Sequence, residues 1–166
     1  MPNYQVVDIE SIAERHPVRA FDAYWRRHAV NGLVPQRSQI NPAEIPGILP
    51  WLLVLEVNRF GASAEYRYRL AGTGCTEIFG VDYTGRSLGE HLTPEGTEIR
   101  RREFERTLQD GQPIISTTNL PIKGKDFISV HRGVYPVRAS GEQPDQIFVA
   151  IAPVATECTS RIPLGA

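Results

Sequence analysis

The residues of this chain that could do chemistry are two cysteines, the histidines at 91 and 131, a serine near the second of them, and a run of arginines between 100 and 106. Cys75 and Cys158 form no CxxC pair and no Cys/His cluster, so the spacing marks neither a zinc site nor a dithiol redox centre. Both are expected as free thiols of a cytoplasmic protein. Ser129 and His131 share one face of a strand, but no acid is placed to orient the imidazole. Asp126 stands five residues before His131 and therefore points the other way. GxSxG, HExxH and P-loop motifs are absent, as is GxGxxG at a strand-to-helix turn. The residue pattern therefore marks no catalytic constellation.

The arginines are the stronger signal. Of 18 basic residues only Lys123 and Lys125 are lysines. Codon usage in a GC-rich genome produces such a bias, and so does bidentate recognition of anions, which a guanidinium does better than an ammonium. On a helix over 93–110, Thr97, Arg101, Phe104 and Leu108 follow a 4-3-4 spacing and share a face. Phe104 and Leu108 are expected against a sheet. Arg101 lies on the same stripe, where it either snorkels to solvent or anchors an anionic ligand at a pocket mouth. Arg102 and Arg106 make an RxxxR, interleaved with Glu98, Glu103 and Glu105, which reads as a salt-bridged outer face with Glu98 and Arg102 at i,i+4.

These residues need a frame, and the chain can build one. It has 166 residues, 41% hydrophobic and 22% charged, and a net charge of −1. That is one domain with a real core and no disordered character. It lacks the basic field that non-specific nucleic-acid binding requires. No apolar run approaches the roughly 20 residues of a membrane helix, and the N-terminus has no signal-peptide h-region.

Residues 18–30 predict a helix with Val18, Phe21, Trp25 and Ala29 on one stripe. Phe21 and Trp25 pack either on the chain's own sheet or on a second subunit. Pro35, Pro42, Pro46 and Pro50 then hold a connector, with a short helical turn at Asn41-Pro42. Residues 51–57 and 64–72 predict a hairpin, the second strand alternating Tyr66, Tyr68 and Leu70 against Arg67 and Arg69. Glycines at 72, 74, 80, 85 and 89 break the next stretch into pieces of one or two helical turns. Thr93 as N-cap and Pro94 as first helical residue open the long helix. Strands are expected at 113–122, 127–137 and 146–155. The order gives an α+β fold: a five-stranded antiparallel sheet with the short helices and the long helix on one face, plus the N-terminal flanking helix. The divisions are 1–50 for helix and connector, 51–156 for the core and 157–166 for a tail.

The stretch YRLAGTGCTEIFGVDYTGRSLGEHL (68–92), with Phe79-Gly80, Tyr83-Thr84-Gly85-Arg86 and Leu88, resembles the middle of a PAS domain, as does the helix-to-strand turn LQDGQPI (108–114). FDAYWRRH (21–28), PQR (35–37) and NPAEIPGILPWLLVLEV (41–57) are similar to a bacterial subfamily of short, single-domain PAS proteins. The resemblance spans roughly residues 18–155. It implies a sensory or regulatory module, not an enzyme. Such modules bind a small molecule between the helical side and the sheet, or dimerise, and pass a signal on. Since only Cys158 to Ala166 follow the last strand, the output partner is expected to be a separate protein, and the module a cytoplasmic homodimer.

Face assignment within such a pocket puts Tyr68, Phe79, Phe104, Leu108, Ser129 and His131 on its walls and Arg101 near its mouth, with Phe21 and Trp25 as the candidate dimer surface. A one-residue slip of a strand would exchange its part of that set. The cofactor stays unknown. Flavin-binding light sensors carry Cys in an Asn-Cys-Arg-Phe-type stretch after the short helices, whereas Cys75 precedes Phe79-Gly80 and reads as a small buried hydrophobe. Haem-binding members use one axial His, often on the long helix; His91 only precedes that helix. The rival reading is a small α+β enzyme of isomerase or hydratase type, which needs a titratable pair converging in the same pocket.

Overall fold

The computed structural model describes residues 3–158. In chain order its elements are β1 (Gln5–Val6), α1 (Pro17–His28), β2 (Leu52–Phe60), β3 (Ser63–Ala71), α2 (Thr73–Phe79), α3 (Pro94–Asp110), β4 (Ile114–Asn119), β5 (Ser129–Val137) and β6 (Gln146–Pro153). The proline-rich connector between α1 and β2 forms isolated 3-10 turns, one of them opened by Asn41, whose side chain accepts from the Ala43 N–H. Most of the expected tail lies outside the described residues.

The sheet is antiparallel throughout, in the order β1-β4-β5-β6-β2-β3. The hairpin β2–β3 and the meander β4–β5–β6 form as expected. The sheet has six strands rather than five, because Gln5–Val6 adds to the free edge of β4 and Val7 N–H continues the ladder to Ile115 O at 3.0 Å. Two residues are too few to show a period of two. The glycine-rich middle departs in a similar way. It holds one short helix, α2, and then runs alongside β3, with Leu88 N–H donating to Tyr66 O and Tyr68 N–H to Arg86 O. That segment satisfies part of an edge that would otherwise be open.

Both faces of the sheet are covered, so β5 and β6 are buried along nearly their whole length. Under α2 and α3 lie Leu55, Tyr66, Tyr68, Phe104, Val130, Val134 and Val149. Under α1 lie Phe21, Tyr24, Trp25, Tyr135, Val137 and Phe148. Phe21 meets Tyr135 edge-on at 4.9 Å and stacks on Phe148 at 6.0 Å, and Trp25 Nε1 donates to Pro136 O at 3.0 Å. Phe21 and Trp25 are 0% and 3% exposed, so both are spent on the chain's own sheet and neither offers a surface to a partner. The stripe was read correctly; what it packs on was decided by the bare second face of the sheet.

One strand face departs from simple alternation. The β2–β3 register slips between Val54 and Leu55: Val54 pairs with Leu70 but Leu55 pairs with Tyr68. This bulge inserts Arg69 and turns the following residues over. Leu70 therefore leaves the Tyr66/Tyr68 face and lines a hollow on the opposite side with Val54, Phe148 and the connector's Ile40 and Ile45.

α1 is fixed at its start by His16. The ring Nδ1 accepts from Val18 N–H at 3.1 Å, so Nε2 carries the proton and donates to Pro153 O at 3.0 Å. Only the neutral ring makes both bonds. Burial lowers its pKa from 6.5 to about 4. The native state thus binds fewer protons than the unfolded one in this range. Its stabilisation is complete above pH 6.5 and is lost as the pH falls through 4, by about 3 kcal/mol. We expect urea midpoints to fall between pH 7 and pH 4, and His16→Asn, which keeps a capping side chain without a titrating one, to flatten that slope. A second expectation concerns Gly133, where an added Cβ would meet the Tyr135 ring at 2.5 Å. Gly133→Ala should lower stability by about 2 kcal/mol in urea unfolding.

Candidate functional site

The long helix lies on the sheet by a face one residue earlier than the stripe read from the sequence. Gly96, Arg100, Glu103, Phe104 and Thr107 are its buried positions. Gly96 sets this rotation, because a Cβ there would stand 2.2 Å from Pro121 Cβ, so only glycine lets the helix start approach so closely. Arg100 is consequently buried, 6% exposed, and Arg101 lies half out of the interface.

Beneath the helix, β5 contributes Val130, Arg132 and Val134 to the same face. Arg132 is 2% exposed and its guanidinium pairs with Glu103 on α3. The second oxygen of Glu103 accepts from Tyr4 OH at 2.9 Å, whose pKa rises to about 12 through burial and the Glu103 charge. One buried carboxylate therefore ties together the long helix, the middle of the sheet and the N-terminal segment.

Arg100 stands next to this pair and differs from it. Among the described residues no side chain or backbone oxygen bonds its guanidinium. Burial, then the positive charge of Arg132, lowers its pKa to about 9, which leaves it charged at neutral pH. It borders a small space that Arg132, Tyr68, Phe79, Tyr83 and Phe104 also line. The open volume is about 20 Å³, room for one or two waters. Tyr83 OH is buried and has no hydrogen-bond partner among the described residues. Burial holds Tyr68 at about 12 and raises Tyr83 further. Larger hollows, of about 500, 390, 340 and 330 Å³, are clefts open to solvent and hold none of these buried charges.

Of the expected wall residues, Tyr68, Phe79 and Phe104 meet in this chamber. Leu108 does not; it reaches the open cleft beside Tyr66 and Arg59. Arg101 is replaced by Arg100 for the helical reason given above. Ser129 and His131 are on the other face of β5, as the strand's parity dictates once Val130, Arg132 and Val134 face α3. Ser129 Oγ donates to Asn119 Oδ1, and His131 contacts Thr117 Oγ1 at 2.8 Å and the His16 ring edge-on at 4.9 Å. Cys75 is buried, its thiol pushed up to about 12 by burial. His91 is exposed and stacks on Tyr83 at 5.5 Å. Arg100, Glu103, Arg132, Tyr4 and Tyr83 were missed. The signals were present: a glycine at 96 on the same face as Arg100, and an arginine at 132 in step with two valines.

A six-stranded antiparallel sheet with a short and a long helix over one face, closing on a small charged chamber, defines an α+β sensor-type domain of the PAS build. The profile of the PAS domain family matches residues 13–151, and the chain belongs to that family. No curated protein matches it. A solved structure of an RNA-binding light-oxygen-voltage receptor shares 12% identity, with 63% of this chain aligned to 29% of that one at a TM-score of 0.40. Among the described residues no helix is long and apolar enough to cross a membrane.

Removing one member of a buried ion pair strands the other, which costs about 3–5 kcal/mol. Glu103→Gln should therefore lower stability by about 3 kcal/mol in urea unfolding. Glu98→Gln, which removes the partner of exposed Arg102, should cost under about 0.5 kcal/mol.

Proposed function

We propose that this chain is a regulatory PAS sensor that takes a small molecule in the chamber under α3, works as a homodimer in the bacterial cytoplasm, and relays occupancy to a separate signalling protein. The observation that carries this reading is the small chamber under α3, lined by Arg100, Arg132, Tyr68 and Tyr83, into which the buried Tyr83 hydroxyl brings a polar group without a partner among the described residues. A buried polar group left unpaired is costly, and a bound molecule would relieve it.

The same geometry supplies a route for the signal. A ligand engaging Arg132 competes with Glu103 for its guanidinium. Glu103 also receives Tyr4 OH, so a change there bears on β1, which is held to the sheet edge over only two residues. Short, exposed strands sit at the low end of local stability and respond first. Homodimerisation has to use a surface other than Phe21 and Trp25.

The chamber does not favour catalysis. The residues lining it include arginines and tyrosines but no carboxylate or histidine, and the nearby Glu103 carboxylate is taken up by Arg132 and Tyr4 OH, so no free general base faces the cavity. Native mass spectrometry of protein purified from its own host tests the proposal. We expect a dimer in which each protomer carries a small added mass that is lost on denaturation. A bare monomer would overturn it.

A further inference from the structure

On the α1 face of the sheet, away from the chamber, the proline-rich connector and the strands enclose a hollow of about 390 Å³. That lies within the roughly 300–1,000 Å³ that small-molecule sites span. Its wall is almost wholly apolar: Ile40 and Ile45 from the connector, Leu52 and Val54 from β2, Leu70 from β3 and Phe148 from β6. Two features of the fold build it. Pro42, Pro46 and Pro50 also line it, and because proline fixes φ the connector is a stiff wall rather than a loop free to fold inward. The bulge at Arg69 turns Leu70 over to this side, where it stays 48% exposed while Leu52, Val54 and Phe148 beside it are buried. Bulges re-aim side chains in this way, and they are over-represented next to functional sites.

Arg37 is the one charged residue that lines this hollow among the described residues. Its backbone N–H donates to Arg138 O at 2.8 Å and its Nη1 to Ile40 O at 2.9 Å. Its guanidinium carbon stands 5.5 Å from the centre of the Phe148 ring. The cation is thus held against the apolar wall, and among the described residues no carboxylate lies within ion-pair distance of it. One cation beside an apolar hollow is complementary to a molecule with one anionic head and a hydrocarbon tail. The tail gains by leaving water and the guanidinium meets the head. We propose that this hollow binds an amphipathic monoanion of fatty-acid type, its tail against Val54, Leu70 and Phe148 and its carboxylate on Arg37. The site lies across the sheet from α3 and does not depend on the chamber there being filled.

The test is isothermal titration calorimetry of the full chain at pH 7 with sodium hexanoate, octanoate and decanoate below their micelle concentrations, with 1-octanol and octyltrimethylammonium as neutral and cationic analogues. Each two added carbons should tighten binding about tenfold. Octyltrimethylammonium should bind at least tenfold more weakly than octanoate. Leu70→Asp, at a half-exposed position, should weaken octanoate at least tenfold. Arg37→Met should weaken octanoate about fivefold and leave 1-octanol within about twofold. Arg102→Met, on the outer face of α3, should bind as the parent does. Should Arg37→Met fail to fold, amide shifts of the parent chain decide: octanoate should move residues 40–54 and 70–73 and leave α3 in place. The absence of saturable heat from decanoate up to 1 mM, an unchanged octanoate affinity in Leu70→Asp, equal binding of the cationic analogue, or shifts centred on α3 would overturn the proposal. None of these outcomes bears on whether host-purified protein carries a molecule in the chamber, so the two readings fail separately.

Discussion

The contact between Arg132 in the sheet and Glu103 on α3 governs how the helical side of this protein is built. A guanidinium in the middle of a strand that is covered on both faces must find a partner, because its desolvation is not otherwise offset. Glu103 is that partner. Together with the close approach that Gly96 allows, its position fixes the rotation of α3, and that rotation carries Arg100 inward and Arg101 outward. Tyr4 then reaches the second carboxylate oxygen and fastens the N-terminal segment. A helix that could otherwise slide over an apolar floor has one register.

The other face solves a different problem with different chemistry. Here α1 lies across β5 and β6 and buries Phe21, Tyr24 and Trp25 against Tyr135 and Phe148. Several polar groups at this interface are answered: Asp22 accepts from Tyr135 OH and from Arg26, and His16 caps the helix while donating to the last strand, whereas Gln146 Oε1 is buried without a partner among the described residues. The result is a closed layer that serves stability. On the α3 side the buried ion pair of Arg132 and Glu103 lies under the helix, with Arg100 beside it.

Much of the element order was legible. The helix starts at Thr93-Pro94, the β2–β3 hairpin and the last three strands follow from capping residues and alternation, which are local. The candidate site was legible only in part. Tyr68, Phe79 and Phe104 were found because aromatic residues on a periodic stripe face the core whichever neighbour covers them. Arg101, Leu108, Ser129 and His131 were misplaced by a single step of helix rotation or strand parity. The cause is physical: both faces of β5 are buried, and the buried stripe of α3 carries Arg100 and Glu103, so hydrophobic pattern alone does not select the face on either element. The β-bulge at Arg69 is similar: nothing in the alternation of 64–70 marks where Leu70 turns over.

What the amino-acid order determined by itself is the list of elements, their ends, and the membership in a family with a helix-covered sheet, because caps, turns and periods act over a few residues. What only the tertiary structure decided is which arginine is inside, what Glu103 touches, and that Phe21 and Trp25 serve the chain's own core. Those outcomes depend on how closely Gly96 lets α3 approach Pro121 and on which strand face the second helix left to cover. They are set by contacts between segments far apart in the chain, where local propensity has no say.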